Sequence, residues 1–293
     1  MKKTFFFAAS LAAVALTGCN NDNEEAKAEY ITVSTSIESL TRVSTTGNTA
    51  KFDEGDKISV YAWTGSANEV NTAGLVVNNS VNTLAGSKWT SAPLMKWVDM
   101  TTPHFFLSVY PHHAITNFKA DSVTVDPAKQ MESDLLAAVN TGEGKQGLKA
   151  TNNPVSLKFD HMMSKLAVAL EFRTEFEGVP TVTSVNTMAQ RRAGIDYLKG
   201  TVTPAGPTGM FALAPVTANR EFASVIVPQA VQRIIVEING KNYVYNHPTP
   251  LTLEKGKKQT VKLIVGRNRI ELDQVIINDW GTATDITGGE ALD

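Results

Sequence analysis

The sequence predicts an all-β protein divided into two sandwiches. Three observations predict it: apolar residues alternate with polar ones in segment after segment, turn signals separate those segments, and helix-compatible stretches are scarce. Alternation over 4–8 residues marks a half-buried strand, and many short strands with turns between them mark a sandwich or barrel.

Taken in order, Ile31, Val33, Thr35 and Ile37 form the first alternating segment. Ile58, Val60 and Ala62 follow, set against Ser59, Tyr61 and Trp63. The Asn- and Thr-rich stretch from Thr64 to Ser91 reads as long loops. The pattern resumes at Phe105, Leu107 and Val109, and again at Leu166, Val168, Leu170 and Phe172. Ile234, Val236 and Ile238 come next, then Val261, Leu263 and Val265, and last Ile270 and Leu272. Glu54-Gly55-Asp56, Asn239-Gly240 and Glu254-Lys255-Gly256 are turn chemistry between strands. Only Ser133 to Asn140 and Met188 to Arg192 are compatible with a turn or two of helix. Glu175 to Thr183, with Gly178 and Pro180, reads as an inter-domain link, giving an N-terminal domain over 30–174 and a C-terminal domain over 175–293.

The N-terminus reads as an export address. Lys2 and Lys3 precede an apolar run from Phe5 to Leu16, too short to span a membrane. Leu16-Thr17-Gly18-Cys19 are the four positions that bacterial lipoprotein signal peptidase reads, so residues 1–18 are expected to be removed and Cys19 lipidated. Two or more acyl chains hold a protein on a membrane without a spanning helix. Residues 19–29, with Asp22, Glu24, Glu25 and Glu29, read as a flexible acidic tether, consistent with display on the outer membrane.

Composition narrows the function. Without residues 1–18 the chain has 293 − 18 = 275 residues, with 27 − 2 = 25 basic and 29 acidic side chains, a net charge of −4. Nucleic-acid partners are not expected of such a balance. Cys19 is the single cysteine, leaving none for a disulfide, a thiolate nucleophile or a cysteine-rich zinc site. There is no His-Glu-x-x-His and no Gly-x-Ser-x-Gly. In Gly142-Glu143-Gly144-Lys145-Gln146-Gly147, Leu148 stands where a phosphate loop needs Lys. His112 and His113 on one strand would point to opposite faces, and Asp53, Glu54 and Asp56 lack the spacing of a calcium loop. The sequence therefore predicts no enzyme, no cofactor and no metal. Trp63, Trp89 and Trp97 offer a second reading: exposed together, they could stack on sugar rings in a surface glycan-binding lipoprotein.

Three segments carry a resemblance. Phe52-Asp53-Glu54-Gly55-Asp56-Lys57-Ile58-Ser59-Val60-Tyr61 is similar to the F/W-x-x-G-D-x-I-x-V-Y signature of the fimbrillin-like lipoproteins of Bacteroides and relatives. Phe159-Asp160-His161-Met162-Met163-Ser164-Lys165-Leu166-Ala167-Val168 resembles their F-x-H-x-x-S-K-L-x-V strand, and Ile277 to Trp280 their I-x-x-W close. The resemblance implies two transthyretin-like (Greek-key) β-sandwich domains in tandem. It also implies assembly with other fimbrial subunits, as homo- or hetero-polymer, into type V pili that adhere to a host or bacterial surface ligand. In that family a trypsin-like protease cuts after an arginine in the loop following the first strand. Arg42, before Val43, is the matching position; by its residues alone it is an arginine in a small-polar loop. Arg191-Arg192 is a competing basic site in mid-chain. Family C-terminal strands donate to a neighbour, which points to Ile270, Leu272, Val275, Ile277 and Trp280. The same segment could instead complete its own domain.

Overall fold

The structure, a computed structural model, describes residues 29–37 and 51–280. Cys19, Arg42 and Val43 lie outside the described residues.

The first half of the chain contains β1 (Val33–Ile37), β2 (Lys57–Thr64), β3 (Val77–Ala85), β4 (Lys88–Ala92), β5 (His104–Tyr110), β6 (Asp121–Thr124), the single-turn α1 (Gln130–Ser133), β7 (Leu136–Asn140) and β8 (Val155–His161). All of these strands except β6 form one sheet in the order β1-β8-β7-β5-β2-β3-β4. β1 runs parallel to β8, and the other neighbours are antiparallel. This sheet curls until its two ends meet: Ile31 N donates to Met95 O at 2.9 Å, Trp97 N to Glu29 O at 3.2 Å, and Trp89 Nε1 to Thr35 Oγ1 at 3.0 Å. Inside the curl lies a core of Ile31, Val33, Phe52, Ile58, Val60, Phe106, Leu157 and Phe159.

The second half contains β9 (Ser164–Phe172), β10 (Val182–Asp196), β11 (Thr201–Ala212), β12 (Ala214–Thr217), β13 (Glu221–Ile226), β14 (Ala230–Ile238), β15 (Lys241–Thr252), β16 (Lys257–Val265) and β17 (Ile270–Asp279). They form two sheets, β11-β10-β14-β15 and β12-β13-β9-β16-β17. β6 leaves the first half and pairs with β10 over Arg192–Ile195. The outer face of the N-terminal sheet, through Tyr61, Trp63, Phe105, Leu107 and Val109, shares one core with Val185, Ile234, Phe211, Val261 and Leu263 of these sheets. β5 is therefore buried along its whole length, as a strand covered on both faces must be.

The all-β class holds, and three local expectations do not. Ser133 to Asn140 is the end of α1 and then β7, and Met188 to Arg192 is the middle of β10. Their Ala- and Met-rich composition suits helix, but burial against neighbouring strands overrides so weak a preference. Thr64 to Ser91 contains β3 and most of β4 rather than only loops. The alternation is carried there by small polar side chains: Ser80 and Asn82 are each 1% exposed. Ser80 Oγ donates to Pro93 O at 2.6 Å and Asn82 Nδ2 to Ser80 O at 3.1 Å, so these buried groups are satisfied. Sheet membership changes between β8 and β9, at His161–Ser164, while residues 174–175 lie beyond β9.

Candidate functional site

Two strands at opposite ends of the chain are held on one ladder edge each, and they form the candidate site. Among the described residues β1 pairs in a ladder with β8 alone, from Val33 opposite Val155 to Ile37 opposite Phe159. Ile31 and Val33 are buried, and Ile37 packs against the curled core. Beside them Phe52 meets Trp89, Tyr110 and Phe159 edge-on at 5.2–5.4 Å between ring centroids. A short strand of five residues thus lids an aromatic seat built entirely by later parts of the chain.

β17 is the terminal strand of its sheet and pairs with β16 from Ile270 opposite Val265 to Asp279 opposite Lys257. Its register slips where Lys262 faces Gln274 and Leu263 faces Leu272, which leaves Asp273 as an extra, bulged residue. The bulge restores the parity that the spacing 270, 272, 275, 277 breaks. Ile270, Leu272, Val275 and Ile277 all stand opposite buried residues, Val265, Leu263, Val261 and Gln259, and share their core-facing side. Yet this edge is thinly covered: Leu272 is 36% exposed and Ile277 53%. Trp280 alone is fully seated, 3% exposed.

The two motifs flanking this region meet in space. The His161 ring stacks on the Trp280 indole at 4.3 Å and 7°. His161 Nδ1 lies 2.8 Å from Asp134 Oδ1, and Lys165 Nζ stands 5.9 Å from the indole centroid. Burial, with Lys258 nearby, holds the Lys165 ammonium below its ordinary pKa. In the first motif Gly55, at φ +84°, makes the turn that a side chain would strain. Asp56 Oδ2 accepts from Asp53 N at 2.8 Å, and Asp56 Oδ1 accepts from Tyr110 Oη at 3.1 Å. The hydroxyl of Tyr61 accepts from Ile115 N at 2.7 Å. These motif residues build turns and core contacts.

One charged cluster ties the two halves together, and nothing in the local pattern beyond the paired histidines His112 and His113 pointed to it. His113 Nε2 lies 3.1 Å from Asp121 Oδ2, which also accepts from the Tyr197 hydroxyl at 2.7 Å. Burial pulls the His113 pKa down, but the bond to Asp121, the bond to Pro111 O and the Asp121 charge outweigh it and hold it above 6.5. Burial pushes the Asp121 carboxyl up, and its bonds from His113, Tyr197 and Ser122 hold it below 3.8 all the same. Among the described residues no group of three or more His, Cys, Asp or Glu side chains could hold a metal.

The three tryptophans do not form an exposed platform. Trp63 is 1% exposed and Trp97 7%, while Trp89 is half-buried against Phe52.

A family model described as fimbrillin-like matches residues 41–280. The chain belongs to the fimbrillin-like family. No curated protein matches it significantly. Among solved structures, a candidate cell adhesion protein from Bacteroides ovatus superposes with a TM-score of 0.67 at 16% identity, covering 86% of this chain and 98% of its own. A second, from Bacteroides uniformis, gives 0.63 at 18% identity over 78% of this chain and 93% of its own. A fimbrial protein from Bacteroides vulgatus gives 0.53 at 13% identity over 85% and 99%. At such identities the likeness is one of fold. Of this fimbrillin-like chain's expected functional positions, Ile270, Leu272, Val275 and Ile277 come together on one face, with Trp280 buried at the end of the strand.

Proposed function

We propose that this fimbrillin-like chain is a structural subunit of a type V pilus, exported as a lipoprotein on Cys19 and assembled at the cell surface by protease-triggered strand exchange. The observation that carries the reading is the seat of β1. That strand is short, ladder-paired on one side, and covers apolar groups contributed by β2, β5 and β8. Cleavage after Arg42 would separate it, with the lipid, from the rest of the chain. The seat would then present β8 as an open edge beside Phe52, Phe159 and Leu157, a surface that accepts an added strand. A complementary donor is available in β17, whose apolar side chains share one face and are only partly covered.

Intact-mass analysis of protein released from cells tests this reading. Processed subunits should begin at Val43, whereas an Arg42→Ala chain should keep its lipidated Cys19 and fail to enter polymers. Polymers built from uncut Arg42→Ala chains would sink the proposal. The glycan-binding reading based on Trp63, Trp89 and Trp97 draws no support from their positions.

A further inference from the structure

The paired arginines in mid-chain have a setting of their own. Arg191 and Arg192 lie in β10 opposite a bulge in β11: Gln190 faces Thr208 and Arg192 faces Ala205, so Gly206 and Pro207 together stand against Arg191. In a regular strand two successive side chains point to opposite faces; a bulge in the paired strand raises the local twist and breaks the regular ladder beside them. Both arginines line a single cleft of about 390 Å³, walled by Ala205, Pro207, Thr208 and Met210 of β11.

The bulge is built into its surroundings. Gln190 N donates to Gln229 Oε1 and Gln229 Nε2 donates to Gln190 O, both at 2.8 Å, so a side-chain amide replaces the ladder where β14 has ended and β6 has not begun. The Arg191 carbonyl accepts from Val125 N at 2.8 Å. Each guanidinium is steered by one bond: Arg191 Nη2 to Met210 O at 2.9 Å, and Arg192 Nη2 to Ser122 Oγ at 3.3 Å. A guanidinium has five donors, so most stay available on each. Neither arginine has a carboxylate partner among the described residues, and no side chain lining the cleft is acidic. Arg191 also lies 5.7 Å from the centre of the buried Phe211 ring, which fixes its direction further.

Two pre-set, uncompensated guanidinium groups select an oxyanion, which they can hold in bidentate fashion. The remaining wall is apolar, with one hydroxyl from Thr208, and the volume falls in the range of small-molecule sites, about 300–1,000 Å³. That combination matches a sugar ring: a carboxylate or sulfate for the arginines, and apolar C–H groups for Ala205, Pro207 and Met210. We propose that this cleft binds an acidic sugar, its carboxylate or sulfate held by Arg191 and Arg192 and its ring set against β11. The site does not depend on strand exchange.

The test is binding by the full chain, purified in mild detergent, to glucose, glucuronic acid, N-acetylneuraminic acid and glucose 6-sulfate, followed by titration calorimetry, with sodium sulfate, phosphate and a short poly-glutamate peptide as competitors. At least one acidic sugar should bind while glucose does not; comparing the carboxylated sugars with the sulfated one identifies the anion. Arg191→Gln together with Arg192→Gln should weaken binding roughly tenfold or more, since each lost charged hydrogen bond costs that order of affinity. A second variant keeps both charges. Gly209 lines the cleft, has no neighbour within 4 Å of an added Cβ and no positive φ, so Gly209→Trp should fill the cleft without straining the backbone and abolish binding. Binding of glucose as tight as that of the acids, or no binding of any acid, would overturn the proposal. So would binding unchanged in Gly209→Trp, or competition by phosphate or poly-glutamate at the sugar's own potency, which would mark a non-specific anion patch.

Discussion

His113 and Asp121 form a charged pair at the junction of the two halves, with side chains 31% and 14% exposed. Their shifts agree in direction with an ion pair: His113 is held above 6.5 and Asp121 below 3.8. A histidine raised on folding contributes stability that is complete below its unfolded pKa and is lost as pH rises through the folded value. A depressed aspartate contributes above its unfolded pKa and loses the contribution as pH falls through the folded one. The pair therefore stabilises most between about pH 4 and 6.5. His113→Gln should lower the unfolding temperature more at pH 5.5 than at pH 9, read by thermal denaturation at both. Equal losses at the two pH values would show that only packing was removed. The His161 ring is held by its stack on Trp280 and by Asp134 at Nδ1, while its buried Nε2 has no hydrogen-bond partner among the described residues.

At the scale of the element, β17 combines a complete ladder with a thin apolar cover. Ile277 is 53% exposed although it stands opposite buried Gln259. Its replacement by Asp costs folding little, since substitutions at surface positions usually stay within about 0.5 kcal/mol. In a strand donated to an apolar groove the same charge would be buried without a partner, at a cost of several kcal/mol. Ile277→Asp should therefore leave the monomer's unfolding temperature within a few degrees of wild type while stopping polymer growth, checked by thermal denaturation and electron microscopy of surface material. Polymers of normal length would rule out donation by this face. β1 makes the contrasting case, because Val33, like Ile31 just before the strand, is buried where it is, and truncating either weakens the monomer as well.

At the scale of the molecule, one core runs from the outer face of the N-terminal sheet into both C-terminal sheets, and β6 crosses over to pair with β10. Two tandem domains of independent stability would unfold in two steps. A shared core couples them, so calorimetry should record one transition with calorimetric and van't Hoff enthalpies close to equal. Two resolved transitions would mean that the shared contacts through Tyr61, Trp63 and Phe105 contribute little. The same continuity explains why the Arg191-Arg192 pair is a poor protease site: it lies in a strand laddered to β11 and, from Arg192 on, to β6 as well.

Much of this was legible in the chain itself. Period two at Ile58–Ala62, Phe105–Val109 and Val261–Val265 specifies strands because every second side chain must reach a core, and those strands stand where the pattern puts them. The turn at Gly55 and the membership of the fimbrillin-like family were readable from local chemistry and from motif order. What lay hidden needed partners distant in sequence. β3 escaped because two of its three buried positions are Ser80 and Asn82, which count as polar until their hydrogen bonds are known. The common face of β17 depends on a bulge at Asp273 that only pairing with β16 creates, and the cleft beside Arg191 and Arg192 on a bulge in β11, at Gly206-Pro207, that only pairing with β10 creates. His113 met Asp121 and Tyr197 because β6 crosses to β10. Local pattern fixes which residues form strands; register and crossover, set by burial summed over the whole chain, decide which side chains meet.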